Sequence, residues 1–209
     1  MKKIILTVLL TLTLVLAGCS ARNTIEDTNI VVAASATPHA LILEQAREYI
    51  EARGYTLEIR IVNDYVIPNN ITQTGEADAN FFQHVPYLED FNVKNQTTLV
   101  SVLPVHFEPL GLYSGKRTSL TELQGAQIGI PNDRSNGARA LLLLQQEGII
   151  ELDPSKGIGV TKNDITSNPH QINIVELEAA AIPAALADLD FAIINGNYAL
   201  SSNIAIDRI

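Results

Sequence analysis

The hydrophobic pattern alternates between two rhythms from residue 29 onward. "NIVVAASA" (29–36) holds an unbroken apolar run, Ile30 to Ala34, of the kind a buried strand carries. Leu41, Leu43, Ala46 and Ile50 then recur at helical spacing. Thr37 suits the cap of that helix, Pro38 its first turn, and Gly54 its stop. "TLEIRIVN" (56–63) alternates apolar with polar and predicts a half-buried strand. "ADANFF" (77–82) predicts a shorter strand, followed by a helix through Tyr87, and "TTLVSVLPV" (97–105) predicts another strand.

The pattern then restarts. "EPLGLYS" (108–114), "AQIGIP" (126–131), "INIVEL" (172–177) and "LDFAIIN" (189–195) read as strands. Residues 134–147 and 178–187 read as helices between them, the second with Pro183 inside it. Strands alternating with helices predict an α/β fold with mainly parallel sheets. Pro104 to Pro109 is the best place for a crossover between two lobes. The expected division is a first lobe over 29–104 and a second over 105–203, with 204–209 starting a return crossover. Two lobes enclose a cleft, and clefts between domains are where small ligands bind.

The N-terminus adds a compartment. Lys2 and Lys3 precede an apolar run, Ile4 to Leu16, interrupted only by Thr7, Thr11 and Thr13. It is shorter than the ~20 residues that span a bilayer and has the length of a signal-peptide core. It ends in Leu16-Ala17-Gly18-Cys19, a lipobox. Residues 1–18 are therefore expected to be removed, Cys19 lipidated, and 19–28 left as a lipidated tether. The fold would stand at the extracytoplasmic face of a cell membrane; Ser20 does not select inner or outer membrane. Each buried methylene contributes about 0.8 kcal/mol, and stable anchoring takes more than one chain. Cys19 is the sole cysteine, so neither a disulfide nor a thiol nucleophile remains.

Charge excludes other partners. Without residues 1–18 the chain holds 12 basic and 23 acidic side chains, a formal charge of −11. Such a body is unsuited to nucleic acid or to adsorption on anionic lipid.

Candidate chemistry gathers at strand ends. "ANFFQHVPYLEDF" (79–91) crowds Phe81, Phe82, His84, Tyr87 and Phe91 into a chain with few aromatic rings. A core explains the rings but not the histidine, phenol and amides among them. "IPNDRSNGARALLLLQ" (130–145) passes from strand through a polar loop into a helix, with Asn136 and Arg139 in its first turns. A helix start attracts anions, and a guanidinium forks onto carboxylates; the same features also fit a capped helix with a solvated arginine. "AIINGNYAL" (192–200) runs a strand into Asn195, whose amide can both accept and donate; the other reading is an Asx turn. Tyr65 in "NDYVIPNN" (63–70) follows the second strand, and packing under a Pro68 turn is its plain alternative. In parallel α/β sheets, ligands sit beyond the carboxyl ends of strands. Rings, one arginine and several amides together suit a free amino acid with a nonpolar side chain.

At this point the chain resembles the NlpA lipoprotein family, the methionine-binding lipoproteins of ABC importers. "TPHALILEQA", "NDYVIPN", "GEADANFFQHVPYLEDF", "VHFEPLGLYSGK", "PND-SNGARALLLLQ", "ELEAA" and "INGNYAL" carry the resemblance in order, from about residue 29 to about 200. It implies a two-lobed periplasmic-binding-protein fold, type II-like, with methionine held in the cleft. It also implies delivery to a permease driven by an ATPase. By position, Tyr65, Phe82, His84 and Tyr87 would line the side-chain pocket, while Asn136, Arg139 and Asn195 would hold the backbone groups. Rings around a thioether make sense, since each sulfur–aromatic contact is worth ~0.3–1.5 kcal/mol. Arg134 stands where the family usually has proline, a second cation near the clamp, and Ala181 and Ala184 replace positions often polar. These departures leave D-methionine, a methionine derivative and a methionine-containing dipeptide open beside L-methionine. The family continues for several dozen residues past "NYAL", so the resemblance also implies a C-terminal truncation here, with a marginal first lobe.

Two rivals have little behind them. No GxSxG elbow or paired nucleophile and base marks an enzyme, and no cofactor motif occurs. A metal-binding lipoprotein would draw on His39, His84, His106 and Glu108, right in type but without the short spacing of a metal helix. No metal ligand set is assigned.

Overall fold

The computed structural model describes residues 28–205. The signal segment, Cys19 and most of the tether lie outside the described residues, as do 206–209. The first lobe is built on β1 (Asn29–Ala34), α1 (Leu41–Glu51), β2 (Thr56–Ile61), α2 (Ile67–Gln73), β3 (Ala79–Phe81) and α3 (Val85–Asn95). Its three strands form a parallel sheet in the order β2-β1-β3. β1 lies between the other two, which accounts for its continuous apolar run: Val32, Ala33 and Ala34 are buried. β2 is an edge strand and alternates, with Leu57 buried and its neighbours more exposed.

The second lobe holds β4 (Leu110–Ser114), β5 (Gln127–Pro131), α4 (Arg134–Gln146), β6 (Glu151–Leu152), β7 (Ile165–Ser167), β8 (Asn173–Leu177), α5 (Ile182–Ala185), β9 (Phe191–Asn195) and α6 (Gly196–Ser201). Its main sheet runs β4-β9-β5-β8. β5 is parallel to β8 and β9, whereas β4 is antiparallel to β9. β6 and β7 make a separate antiparallel pair that the pattern does not predict. All five residues of β9 are buried, because α4 covers one face of the sheet and α5 and α6 the other. Leu141 and Leu144 of α4 pack with Ile128, Ile130, Phe191 and Ile193, all at most 1% exposed. Burying each such side chain contributes about 1.5–3 kcal/mol.

The first lobe has thinner cores. One joins Ala33, Val62 and Ala77, another Phe82, Tyr87 and Phe91. α1 buries no residue, and its Leu41 and Tyr49 face solvent.

Three expectations fail. Residues 97–105 form no strand. Val100, Val102 and Leu103 are exposed, and the Asn92 amide takes over backbone groups that a ladder would pair, bonding Leu99 N and O. Strand propensity needs a pairing neighbour, and this segment has none among the described residues. The first α-helix begins at Leu41 rather than at Thr37, which is extended and makes no cap; a turn over Ala36–Ala40 comes first. Residues 178–187 break into Ala179–Ala181, α5 and Leu186–Asp188. Pro183 sits in the first turn of α5, where its missing N–H is tolerated, and so cannot lie inside a longer helix.

Candidate functional site

Register puts the functional residues at one edge. β1, β2, β3, β5 and β9 all present their carboxyl ends to the cleft between the lobes. β4 runs antiparallel, and Leu110 pairs with Asn195, so the amino end of β4 and the crossover before it arrive at the same edge. Gly196 lets them approach. Its N–H donates to Pro109 O at 3.0 Å, and a Cβ there would come within 3.0 Å of Glu108 Cγ.

From the first lobe, α3 delivers His84 as its N-cap. His84 Nδ1 accepts from Tyr87 N at 3.1 Å. That bond assigns the ring proton to Nε2, which donates to Asn136 Oδ1 at 3.1 Å. Burial lowers the His84 pKa and the nearby Arg139 lowers it further, against the Asn136 bond and Asp133, which raise it. From the second lobe, α4 delivers Asn136 and Arg139. Asp133 caps α4 by accepting from Asn136 N at 2.9 Å, and both its oxygens accept from Asn136 Nδ2 at 3.1 and 3.0 Å. The amide is thereby oriented with Oδ1 toward the cleft. That oxygen accepts from three sides: His84 Nε2, Arg139 Nη1 at 3.0 Å and Asn195 Nδ2 at 3.0 Å.

Arg139 also donates to Glu108 O at 3.1 Å. Among the described residues it has no carboxylate within ion-pair distance. Burial lowers its pKa, partly offset by Tyr65, Glu108 and Asp133. A part-buried guanidinium held by neutral acceptors is equipped to take an anion.

The rings close the other side. Tyr65 stands 5.6 Å from Phe82, 5.7 Å from Tyr87 and 4.9 Å from Tyr198, centroid to centroid. Tyr65 OH donates to Asn197 Oδ1 at 2.6 Å and Tyr198 OH to Asn63 O at 3.2 Å, both across the cleft. Tyr87 OH donates to Tyr65 O at 3.0 Å. Burial pushes all three phenols up, so they act as neutral donors. Among the described residues two buried side-chain polar atoms are left over, the acceptor Asn195 Oδ1 and the donor Asn197 Nδ2, neither with a partner there. Each such atom costs about 1–3 kcal/mol when unpaired.

Tyr65, Phe82, His84, Tyr87, Asn136, Arg139 and Asn195 thus join one continuous network. Arg134 does not. It is exposed, with its guanidinium beside Gly159, because five residues along a helix place it about 140° round from Arg139. Sequence reasoning missed the roles of Asp133, Asn197 and Tyr198, which lie inside the quoted stretches 130–145 and 192–200. Glu108, whose Oε1 accepts from Asn197 N at 2.7 Å, and His39 had been noticed only as metal-ligand types.

Two α/β lobes around a cleft of rings, amides and an arginine define a substrate-binding protein. The chain belongs to the NlpA lipoprotein family, whose profile matches residues 30–208. It is 38% identical to the methionine-binding lipoprotein MetQ of Bacillus subtilis, over 98% of this chain and 77% of that protein. It is 38% identical to the membrane lipoprotein TpN32 of Treponema pallidum, over 91% of this chain and 72% of that one. Among solved structures, a nutrient binding protein from Burkholderia cenocepacia bound to methionine superposes with a TM-score of 0.80 at 40% identity, covering 85% of this chain and 76% of that one.

Proposed function

We propose that this chain is the lipid-anchored, extracytoplasmic binding protein of an ABC importer and that it carries methionine, in the first instance L-methionine. The lobes of residues 29–104 and 105–203 close on the ligand. The observation that carries the reading is the pair of unpartnered buried atoms, Asn195 Oδ1 and Asn197 Nδ2, beside an arginine without a carboxylate. An amino acid's ammonium and carboxylate satisfy them in kind: Asn195 Oδ1 accepts from the ammonium, while Asn197 Nδ2 and Arg139 donate to the carboxylate. Asn136 and His84 position the arginine's side of the clamp. Tyr65, Phe82 and Tyr87 offer the rings a thioether favours. The methionine-binding relative and the methionine-bound neighbour support the choice of ligand. Lipid on Cys19 would hold the body near permease and ATPase subunits.

Mass spectrometry of ligand released from the purified protein tests the reading. L-methionine, D-methionine or a methionine dipeptide is expected, and release of an unrelated compound overturns it. Calorimetry with methionine and its methyl ester then tests the clamp. The ester loses the charge that Arg139 meets, and truncating one side of such a pair costs ~2–5 kcal/mol. Equal affinities would sink the carboxylate role of Arg139. Radiolabelled palmitate incorporation, lost in Cys19→Ala, tests the anchor.

A further inference from the structure

A second cluster sits beside the clamp. His39 lies in the turn after β1, and His106 and Glu108 lie in the crossover before β4. His39 and His106 are sixty-seven positions apart in the chain, yet their ring centroids lie 4.8 Å apart. His39 Nε2 is 3.5 Å from Glu108 Oε2, and His106 Nε2 is 3.3 Å from the same oxygen. All three ligand atoms lie within 4.8 Å of one another.

We propose that His39, His106 and Glu108 form a binding site for a divalent transition-metal ion of the zinc class, joining the first lobe to the crossover. Zinc binds imidazole nitrogen and carboxylate oxygen at about 2.0–2.2 Å, so neighbouring ligand atoms of a tetrahedral site stand about 3.4 Å apart. Two of the three edges already have that length. The His106 side chain is 23% exposed, against 3% for His39, so a rotation of His106 can shorten the third edge and its open side gives the ion an entry path. Three protein ligands leave a fourth position for water.

The surroundings fit the same chemistry. Ser35 Oγ lies 2.6 Å from His39 Nδ1 in a buried contact. A ligating histidine characteristically donates its other ring N–H to an oxygen, which fixes the tautomer and aims the lone pair; here that leaves Nε2 facing Glu108. Glu108 divides its oxygens: Oε1 accepts from Asn197 N at 2.7 Å, and Oε2 faces both histidines. His39 is also held in place by Phe81, edge to face at 4.7 Å. The plain alternative is a hydrogen-bonded pin with no affinity for metal.

The test uses the full untagged chain, with Cys19 lipidated or replaced by Ser so that no thiol competes. After chelation, the protein is titrated with Co²⁺ and then Zn²⁺. The expected result is one Co²⁺ per chain, with the intense visible bands of a tetrahedral site, displaced by Zn²⁺. His106→Gln, at the exposed position, should abolish the bands while circular dichroism stays unchanged. His39→Gln should do the same, and Ser35→Ala should weaken Zn²⁺ binding about tenfold or more. Absence of the bands in the unaltered chain, or bands and stoichiometry that survive both histidine substitutions, overturns the proposal.

Discussion

His84 shows how much one side chain can couple. Its Nδ1 caps α3 by accepting from Tyr87 N, and its Nε2–H reaches across to Asn136. The cap needs the neutral ring, since protonation at Nδ1 turns its acceptor into a donor, whereas the Nε2–H bond to Asn136 survives protonation. Burial, with Arg139 on the facing helix, favours that neutral form, against the Asn136 bond and Asp133. The sign follows from linkage. A histidine whose folded pKa lies below its unfolded value of about 6.5 stabilises the fold above that pH, and the contribution is lost as pH falls below it. Melting temperature is therefore expected to drop between pH 7 and pH 5. His84→Asn, which keeps a cap acceptor but does not titrate there, should shallow the drop. An identical pH slope in the two proteins would show that other groups govern it. The residue scale was partly legible in the sequence. Aromatic rings and a histidine in one short stretch signal more than a core, but which atom of His84 donates depends on Asn136, fifty-two positions away.

At the scale of elements, the segment from β5 into α4 was read correctly and 97–105 was not, and the difference is physical. Residues 130–145 carry their own instructions: an apolar strand, a polar loop with Asp133 as cap, then Ala and Leu at helical spacing. Residues 97–105 carry strand propensity alone, and pairing is decided by what lies alongside, here the Asn92 side chain. Asn197 escaped assignment for the same reason, because its value comes from Tyr65 and Glu108, brought in by the other lobe and the crossover. Asp133 joins element to site, as it both caps α4 and orients the Asn136 amide. Asp133→Ala should cost about 0.5–2 kcal/mol of stability from the cap. It should also weaken methionine binding, because Asn136 loses the bonds that aim its Oδ1. Ser119→Ala is the control, removing a cap in a short turn of the second lobe that is no part of the cleft network. Calorimetry should show an affinity loss for Asp133→Ala and none for Ser119→Ala; equal losses would reduce Asp133 to a cap.

For the whole molecule, the question is what holds the lobes together when ligand is bound. Among the described residues, three hydrogen bonds cross the cleft: Tyr65 OH to Asn197 Oδ1, Tyr198 OH to Asn63 O, and His84 Nε2 to Asn136 Oδ1. The first is the shortest at 2.6 Å, and Asn197 is almost wholly buried, at 1% exposure. Tyr65→Phe keeps the ring among Phe82, Tyr87 and Tyr198 but leaves the Asn197 oxygen without its donor. A buried acceptor left unpaired costs about 1–3 kcal/mol, and that cost falls on the closed arrangement alone, since separating the lobes returns the amide to water. A penalty of ~1.4 kcal/mol on one of two states shifts their ratio about tenfold. Methionine encounters the open cleft, so its association rate should change little, and the loss should appear as faster release. Surface plasmon resonance on the tethered protein separates the two rates. The expected outcome for Tyr65→Phe is an off-rate raised by about tenfold with a nearly constant on-rate. A fall confined to the on-rate would mean that the hydroxyl shapes the open cleft rather than holding the closed one.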